Sequence, residues 1–120
     1  MDFTDKLDIL YARRSSEDSK DGESIENQVA LLKQYAADKG YYNIKVVTDD
    51  GYTGTNFNRP GFQEAFALIQ HRRVGRFIVK DLSRLGRNTI EVGQYIGVIF
   101  PRFGVEFISI HDGPESSDPD

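Results

Sequence analysis

Cysteine is absent from this 120-residue sequence, and histidine occurs only twice, as His71 and His111. Without cysteine the chain has no disulfides, no thiolate chemistry and no cysteine-based zinc site. Two histidines are too few for most histidine-based metal centres. We therefore expect no metal and no other cofactor. The lack of cysteine also fits a reducing compartment, and we expect a cytoplasmic location.

Long hydrophobic runs are also missing. No apolar stretch approaches the roughly 20 residues that a membrane-spanning helix needs, and residues 1–6 lack the apolar core of a signal peptide. We therefore expect no membrane partner. Apolar residues make up 38% of the chain and charged residues 28%, which is typical of a globular domain. A chain of this length can bury a sizeable core as one domain.

The net charge is −4, which argues against a general nucleic-acid-binding surface. Many of the acidic residues, however, lie in two polar segments, 17–23 and 112–120. Several arginines instead follow predicted strands, namely Arg13, Arg14, Arg59, Arg84 and Arg87. An acidic domain of this kind has room for a local cationic pocket.

Short apolar runs alternate with amphipathic helical stretches along the chain. We predict strands over residues 6–11, 44–48, 77–80 and 105–110. Strands that alternate with helices form a mostly parallel sheet with helices on both faces. The pattern therefore predicts an α/β domain of three layers, flavodoxin-like, with a central sheet of four to five strands.

Local signals mark the ends of two predicted helices. The first helix begins after Ser24, a good N-cap, and ends at Gly40, a residue suited to a helix C-terminus. The second begins at Pro60, with Arg59 next to its start. We expect residues 72–76 to close this second helix before the third strand.

The third predicted helix covers about residues 88–100. Pro101 should end or kink it, because proline lacks an amide hydrogen and clashes with the preceding turn. Gly93 and Gly97 indicate either close packing of this helix against a neighbour or a locally weakened helix. Residues 49–58 are rich in glycine, aspartate, asparagine and threonine and predict a loop.

Right-handed crossovers bring the carboxyl ends of parallel strands to one edge of the sheet, where α/β proteins bind their ligands. Six chemically active residues follow the first three predicted strands: Arg13, Ser15, Asp50, Arg59, Arg84 and Arg87. Guanidinium groups make planar, multidentate contacts with phosphate oxygens. A serine hydroxyl is a weak nucleophile that needs a base or a cationic setting.

This set of residues favours phosphoryl transfer over other serine chemistry. The sequence has no nucleophile-elbow motif around Ser15 and no P-loop for a nucleotide. Arginines stabilise the charge that spreads over phosphate oxygens in the transition state. A phosphodiester is therefore a better candidate substrate than ATP.

Four motifs resemble those of serine recombinases, the resolvase and invertase superfamily. In chain order they are Tyr11-x-Arg13-x-Ser15; Ser24-Ile25-Glu26-Asn27-Gln28; Asp50-Gly51-Tyr52-Thr53-Gly54 followed by Arg59-Pro60-Gly61-Phe62; and Ser83-Arg84-Leu85-Gly86-Arg87-Asn88. Their order and spacings follow the family pattern from about residue 7 to residue 113, nearly the whole chain. Segments 22–28 and 79–88 look most like the large serine recombinases of mobile elements, the transposon-excising and integrase-like branch. The resemblance implies a resolvase-like fold.

The resemblance also implies a chemistry and a partner. Ser15 would attack a DNA phosphodiester and form a 5′-phosphoserine link, without metal or ATP. Double-stranded recombination sites would be the substrate, and the full-length protein would assemble as a dimer and then a tetramer. The implied catalytic residues are Ser15, Arg13, Arg59, Arg84, Arg87 and Gln28, with supporting roles for Tyr11, Asp50, Thr53, Asp81 and Ser83.

Two positions depart from the family pattern. Many members carry aspartate where this chain has Ser83, and Asp81 lies two residues earlier, on the same side of an extended strand. Arg14 is bulkier and more charged than the apolar residue expected there. We expect residues 1–113 to form the catalytic domain and residues 114–120 an acidic linker toward DNA-binding domains that this chain lacks.

Two other interpretations remain open at this point. The Asp49–Asp50 pair allows a non-enzymatic flavodoxin-like or receiver-like domain that binds a phosphate-bearing ligand or a protein partner. Alternatively, the chain is a structural interaction module whose arginines have no catalytic role.

Overall fold

The structure, a computed structural model, describes residues 6–15 and 24–112. In these ranges four parallel strands form one sheet in the order β2-β1-β3-β4. The strands are β1 (Leu7–Arg14), β2 (Ile44–Asp50), β3 (Val74–Val79) and β4 (Glu106–Ser109). The predicted linker 114–120 and the polar segment 16–23 lie outside the described residues.

Helices connect the strands and cover both faces of the sheet. They are α1 (Ile25–Lys39), α2 (Pro60–Gln70), α3 (Leu82–Leu85), α4 (Thr89–Gln94), a π-helical segment (Tyr95–Ile99) and α5 (Phe100–Arg102). None of the helices in the described ranges is long and apolar enough to cross a bilayer. The predicted three-layer α/β architecture is confirmed.

Alternation along β1 divides the core into two layers. Ile9 and Tyr11 face the layer that contains α2, whereas Leu10 and Ala12 face α1. This follows from the two-residue period of a strand, and both faces are apolar because a parallel sheet is covered on each side. The first strand is therefore buried along nearly its whole length.

The predicted ends of α1 and the start of α2 are confirmed. The Ser24 hydroxyl accepts a hydrogen bond from the Asn27 amide at 3.1 Å. Gly40 adopts a left-handed conformation with φ of 80°, and its amide closes the helix. Pro60 is the first residue of α2, where its missing amide hydrogen costs no helical bond.

Strand boundaries differ from the prediction: β1, β2 and β3 each reach beyond the predicted residues at one end, whereas β4 is one residue shorter at each end. β1 and β2 run on to Arg14 and Asp50, which are paired across the ladder, so the predicted loop 49–58 was wrong at its first two residues. The ends of these two strands were not predicted, because the last two residues of each strand are polar. β3 begins at Val74 because that side chain is buried, so residues 74–76 do not close the second helix.

The predicted third helix is divided into α4, the π-helical segment and α5. In the π-helical segment the Phe100 amide bonds to the Tyr95 carbonyl, a wider turn than the α-helix has. The wider turn comes just before Pro101, which cannot supply an amide hydrogen, and the helix ends at Arg102. The prediction that the helix ends at Pro101 is thus met to within one residue. The predicted close packing at Gly93 and Gly97 is wrong, because within residues 6–15 and 24–112 no atom beyond the chain neighbours and the helix's own nearby backbone would lie within 4 Å of a β-carbon at either glycine.

Candidate active site

The carboxyl ends of β1, β2 and β3 meet at one edge of the sheet, as predicted from the topology. Ser15 directly follows β1 and is only 2% exposed. Arg13, near the end of the same strand, pairs with Asp49 of β2. The short helix α3 follows β3 at this edge and carries Arg84. The fold therefore gathers a serine and several arginines within a small region.

Arg13 is fully buried, and its guanidinium is held by main-chain carbonyls. Its Nε donates to the Arg84 carbonyl at 3.2 Å, Nη1 to the Tyr52 carbonyl at 2.9 Å and Nη2 to the Ser83 carbonyl at 2.6 Å. Burial, reinforced by the charge of Arg59 and other arginines, lowers the pKa of Arg13 to about 10. Arg13 thus stays charged at neutral pH and joins the loop after β2 to the α3 turn.

Gln28 and Arg84 fix the main chain of Arg13 from two sides. The Gln28 amide oxygen accepts from the Arg13 amide at 3.2 Å, and its nitrogen donates to the Arg13 carbonyl at 3.1 Å. Arg84 Nη1 donates to the same carbonyl at 3.0 Å. Both side chains belong to buried residues. The backbone two residues before Ser15 is therefore held in place by residues from α1 and α3.

Arg59, the N-cap residue of α2, lies in a second buried network. Its Nη1 donates to the Tyr11 hydroxyl at 3.1 Å, and that hydroxyl donates to Asp49 Oδ2 at 2.7 Å. The guanidinium also lies 4.7 Å from the Phe57 ring centroid, a cation–π contact. Its Nη2 is buried and has no hydrogen-bond partner among the residues that the structure describes. Arg59 therefore keeps one donor available for a further acceptor.

Asp49 is the residue that sequence reasoning missed. Its carboxylate accepts from the amides of Gly61 at 2.8 Å and Phe62 at 2.9 Å, so it caps α2 as well as binding Tyr11. The burial of Asp49 could have been predicted, because the two-residue period of a strand puts Asp49 on the same face as the buried Val47. The predicted supporting residue was Asp50, which instead contacts Arg14 at the surface at 3.3 Å.

Arg87 is the exposed arginine of the set. Its amide donates to the Gly54 carbonyl at 2.7 Å, which attaches the α3 turn to the loop after β2. A β-carbon at Gly54 would lie 2.8 Å from Arg13 Nη2 and 3.2 Å from Arg87 Cγ. Only glycine fits between these two arginines without displacing one of them.

The remaining predicted residues support local turns. Asp81 Oδ1 accepts from the Ser83 amide at 3.0 Å and from the Ser83 hydroxyl at 2.5 Å, and it lies 3.9 Å from Arg84 Nε. The extended-strand premise was wrong, because Asp81 is the N-cap of α3 and Ser83 lies within that helix; the Asp81 carboxylate lies beside Arg84 as a cap of the turn. The Thr53 hydroxyl bonds to Thr55 within its own loop at 3.1 Å.

The chain thus has a parallel α/β sheet with a serine and buried arginines at its carboxyl edge. This arrangement is typical of proteins that bind a phosphate group at that edge. The model of the family described as "Resolvase, N terminal domain" matches residues 9–120. The chain belongs to this family and is a serine recombinase catalytic domain, an enzyme of site-specific DNA recombination. The receiver-like alternative is not favoured.

Solved structures agree with this assignment. The N-terminal catalytic domain of TP901-1 integrase is 27% identical with a TM-score of 0.78, covering 89% of this chain and 78% of that one. The C-terminal catalytic domain of ISC1926 TnpA, an IS607-like serine recombinase, is 31% identical with a TM-score of 0.71, covering 87% and 67%. A serine recombinase from Sulfolobus solfataricus is 31% identical with a TM-score of 0.68, covering 88% and 67%. Membership of the family implies a DNA substrate and self-association.

Proposed function

We propose that Ser15 is the nucleophile of a strand-cleavage reaction on double-stranded DNA. Its Oγ gives up its proton and forms a bond to the scissile phosphorus, the bond from phosphorus to the 3′ oxygen breaks, and that oxygen takes up a proton and leaves as a hydroxyl. The 5′-phosphoserine link keeps the energy of the phosphodiester, so the reverse attack by a 3′ hydroxyl rejoins DNA without ATP. The observation that carries this proposal is the position of Ser15, directly after a strand end fixed by Gln28 and Arg84.

The arginines have different roles in this proposal. Arg87, which is exposed, and Arg84 contact the phosphate oxygens and stabilise the charge of the transition state. Arg59 offers its buried Nη2 as a further donor. Arg13 contributes a fixed positive charge, since each of its three guanidinium nitrogens donates to a main-chain carbonyl. Tyr11, through its bond to Arg59, keeps that guanidinium in place.

The biological setting is proposed on the same basis. The substrates are the recombination sites of a mobile element, which the enzyme excises or integrates. Two copies pair on each site and two such dimers form the tetramer that exchanges strands. We place the catalytic domain at residues 1–113, with 114–120 leading toward DNA-binding domains of a full-length, cytoplasmic protein.

The test uses the full-length recombinase with DNA that carries the ends of its own element. Reactions are denatured, and protein-bound DNA is measured on gels with and without EDTA. We expect an adduct that EDTA does not remove and that Ser15→Ala abolishes. Ser24→Ala is the matched control, because it removes a helix cap and should leave the adduct. An adduct that persists in Ser15→Ala, or that requires a divalent metal, contradicts the proposal.

A further inference from the structure

The α3 turn holds the arginine site together but is too short to be stable alone. It has one turn of four residues, and isolated helices of that length do not form in water. Yet Arg84 extends from this turn, and the carbonyls of Ser83 and Arg84 accept the Arg13 guanidinium. Its first amides have no partners within the helix. Groups from elsewhere must therefore fix it.

Two carboxylates cap this turn, and one of them comes from far along the chain. Asp81 accepts from the Ser83 amide at 3.0 Å. Asp112, which follows β4, accepts from the Leu82 amide at 2.9 Å through its Oδ2. Hydrogen bonds from an amide to an ionised carboxylate are among the stronger hydrogen bonds in proteins. Neighbouring amides at the start of α3 are thus each held by a carboxylate.

The backbone after β4 places Asp112 opposite the turn. The Ile110 amide donates to the Val79 carbonyl at 3.0 Å, and the His111 amide to the Lys80 carbonyl at 2.7 Å. The chain therefore stays paired with the end of β3 beyond the strand. The Ser109 hydroxyl also donates to Asp112 Oδ2 at 2.5 Å and orients the carboxylate.

We propose that Asp112 is a positioning residue for the recombination reaction. It holds the α3 turn, and the turn fixes both the Arg84 side chain and the carbonyls that hold Arg13. Asp112 does not touch the phosphate itself. The inference rests on the proposed function, because it needs Arg84 to act on the phosphate. It also connects the chain leaving β4 to the geometry of the active site.

The experiment measures single-turnover adduct formation by the full-length recombinase on its own site DNA. In Asp112→Ala, we expect the rate at saturating DNA to fall about tenfold to hundredfold, since a misplacement of 1 Å can have that effect. The half-saturating DNA concentration should change less than about threefold, because DNA affinity depends mainly on phosphate contacts. Asp38→Ala is the matched control: it removes the same charge from an exposed position of α1, where Asp38 contacts Gln34, and should react at the parent rate.

Two further variants separate positioning from general stability. Asp112→Asn keeps an oxygen for the Leu82 amide and should recover most of the rate. In an Arg84→Lys background, Asp112→Ala should cost clearly less than in the parent, because one of the two groups that the turn positions is already changed. If Asp112→Ala does not fold, Ser109→Ala combined with Asp112→Asn takes its place, with an expected slowing of several-fold.

The possible results distinguish a wrong role for Asp112 from a wrong proposed function. A parent rate in Asp112→Ala, or in the substitute double variant, overturns the inference, as does a full multiplicative loss in the Arg84→Lys background. A change in half-saturation alone also overturns it. If Ser15→Ala still forms the adduct, the proposed chemistry is wrong instead. If Ser15→Ala is inactive and Asp112→Ala is normal, only the role of Asp112 is wrong.

Discussion

At the scale of single residues, the buried contact between Tyr11, Asp49 and Arg59 combines stability with the arrangement of the site. The tyrosine hydroxyl donates to the carboxylate and accepts from the guanidinium. Each of these polar groups is buried, and a buried polar group is costly when it loses its partner. Changes here should therefore affect folding before they affect chemistry.

Tyr11→Phe tests this network by stability and by pH. Loss of the hydroxyl leaves Arg59 Nη1 without its partner and should lower the free energy of unfolding by about 1–3 kcal/mol, measured by urea denaturation at pH 7. Tyr42→Phe is the control, because Tyr42 is 77% exposed and should change stability little.

Burial strongly raises the pKa of Tyr11, and Asp49 contributes further in the same direction. The stability of the parent protein and that of Tyr11→Phe should therefore depend differently on pH. Below pH 10 the phenol is neutral in both the folded and the unfolded chain, so its contribution is fully present. Above pH 10 the unfolded phenol ionises while the folded one does not, and stability falls. Tyr11→Phe should reduce that fall by up to about 1.4 kcal/mol per pH unit. An equal slope in parent and variant between pH 10 and 11 would contradict the assignment.

Asp49→Ala and Asp50→Ala form a matched pair of adjacent substitutions. Asp49 serves three donors, from Tyr11, Gly61 and Phe62, so its loss should cost about 2–4 kcal/mol in the free energy of unfolding. Asp50 makes one surface ion pair with Arg14, worth at most about 1 kcal/mol. Chemical denaturation of both variants checks the order, and a larger loss for Asp50→Ala would refute it.

The sequence motifs predict Arg13, Arg84 and Gln28 as site residues, but they do not predict which groups these side chains bond to. Arg13 donates to the carbonyls of Tyr52, Ser83 and Arg84, which belong to the loop after β2 and to α3, both remote in sequence. Those positions depend on tertiary packing and leave no local pattern in the sequence. The two-residue period of a strand predicts that Asp49 and not Asp50 faces the core, but only if β2 is taken to continue past Thr48.

At the scale of elements, glycine has opposite effects in the loop after β2 and in α4. Gly93 is exposed, and a β-carbon there would meet no atom from elsewhere in the part of the chain that the structure describes. Gly93→Ala should therefore raise the free energy of unfolding by about 0.5–1 kcal/mol through lower backbone entropy of the unfolded chain. Thermal or urea unfolding measures the change.

Gly54→Ala is the contrasting substitution, because its β-carbon would overlap Arg13. We expect lower stability there, with slower adduct formation by the full-length enzyme. If Gly54→Ala were as stable as Gly93→Ala, the close approach in the structure would be wrong.

Element types were predictable where a single physical signal dominated. The Ser24 cap, the Gly40 end and Pro60 at the start of α2 all act locally. The helix α3 was not predicted, because four residues are too few to show a helical periodicity. One of its two capping carboxylates also belongs to Asp112, 30 residues away in the sequence. The division of the third helix was harder still, since Pro101 indicates a disturbance but not its form.

At the scale of the whole molecule, the charge balance limits DNA binding. The 120 residues carry a net charge of −4, and affinity for duplex DNA comes largely from cations that neutralise phosphates. A protein made of these residues alone should bind DNA no more tightly than a dissociation constant of about 10⁻⁵ M near physiological salt, and it should not recombine DNA. Fluorescence anisotropy with labelled site DNA tests this. Tight binding or efficient recombination by these residues alone would contradict it.

The most direct test of the central claim is to locate the DNA attachment on the protein. The full-length recombinase is reacted with its own site DNA in EDTA, denatured and digested, and the peptide that carries a nucleotide is sequenced by mass spectrometry. We expect a 5′-phosphodeoxynucleotide on Ser15 and on no other residue. Attachment at Ser16 would keep the reaction class and move the nucleophile by one position. Attachment elsewhere, or no attachment while recombination proceeds, would contradict the account.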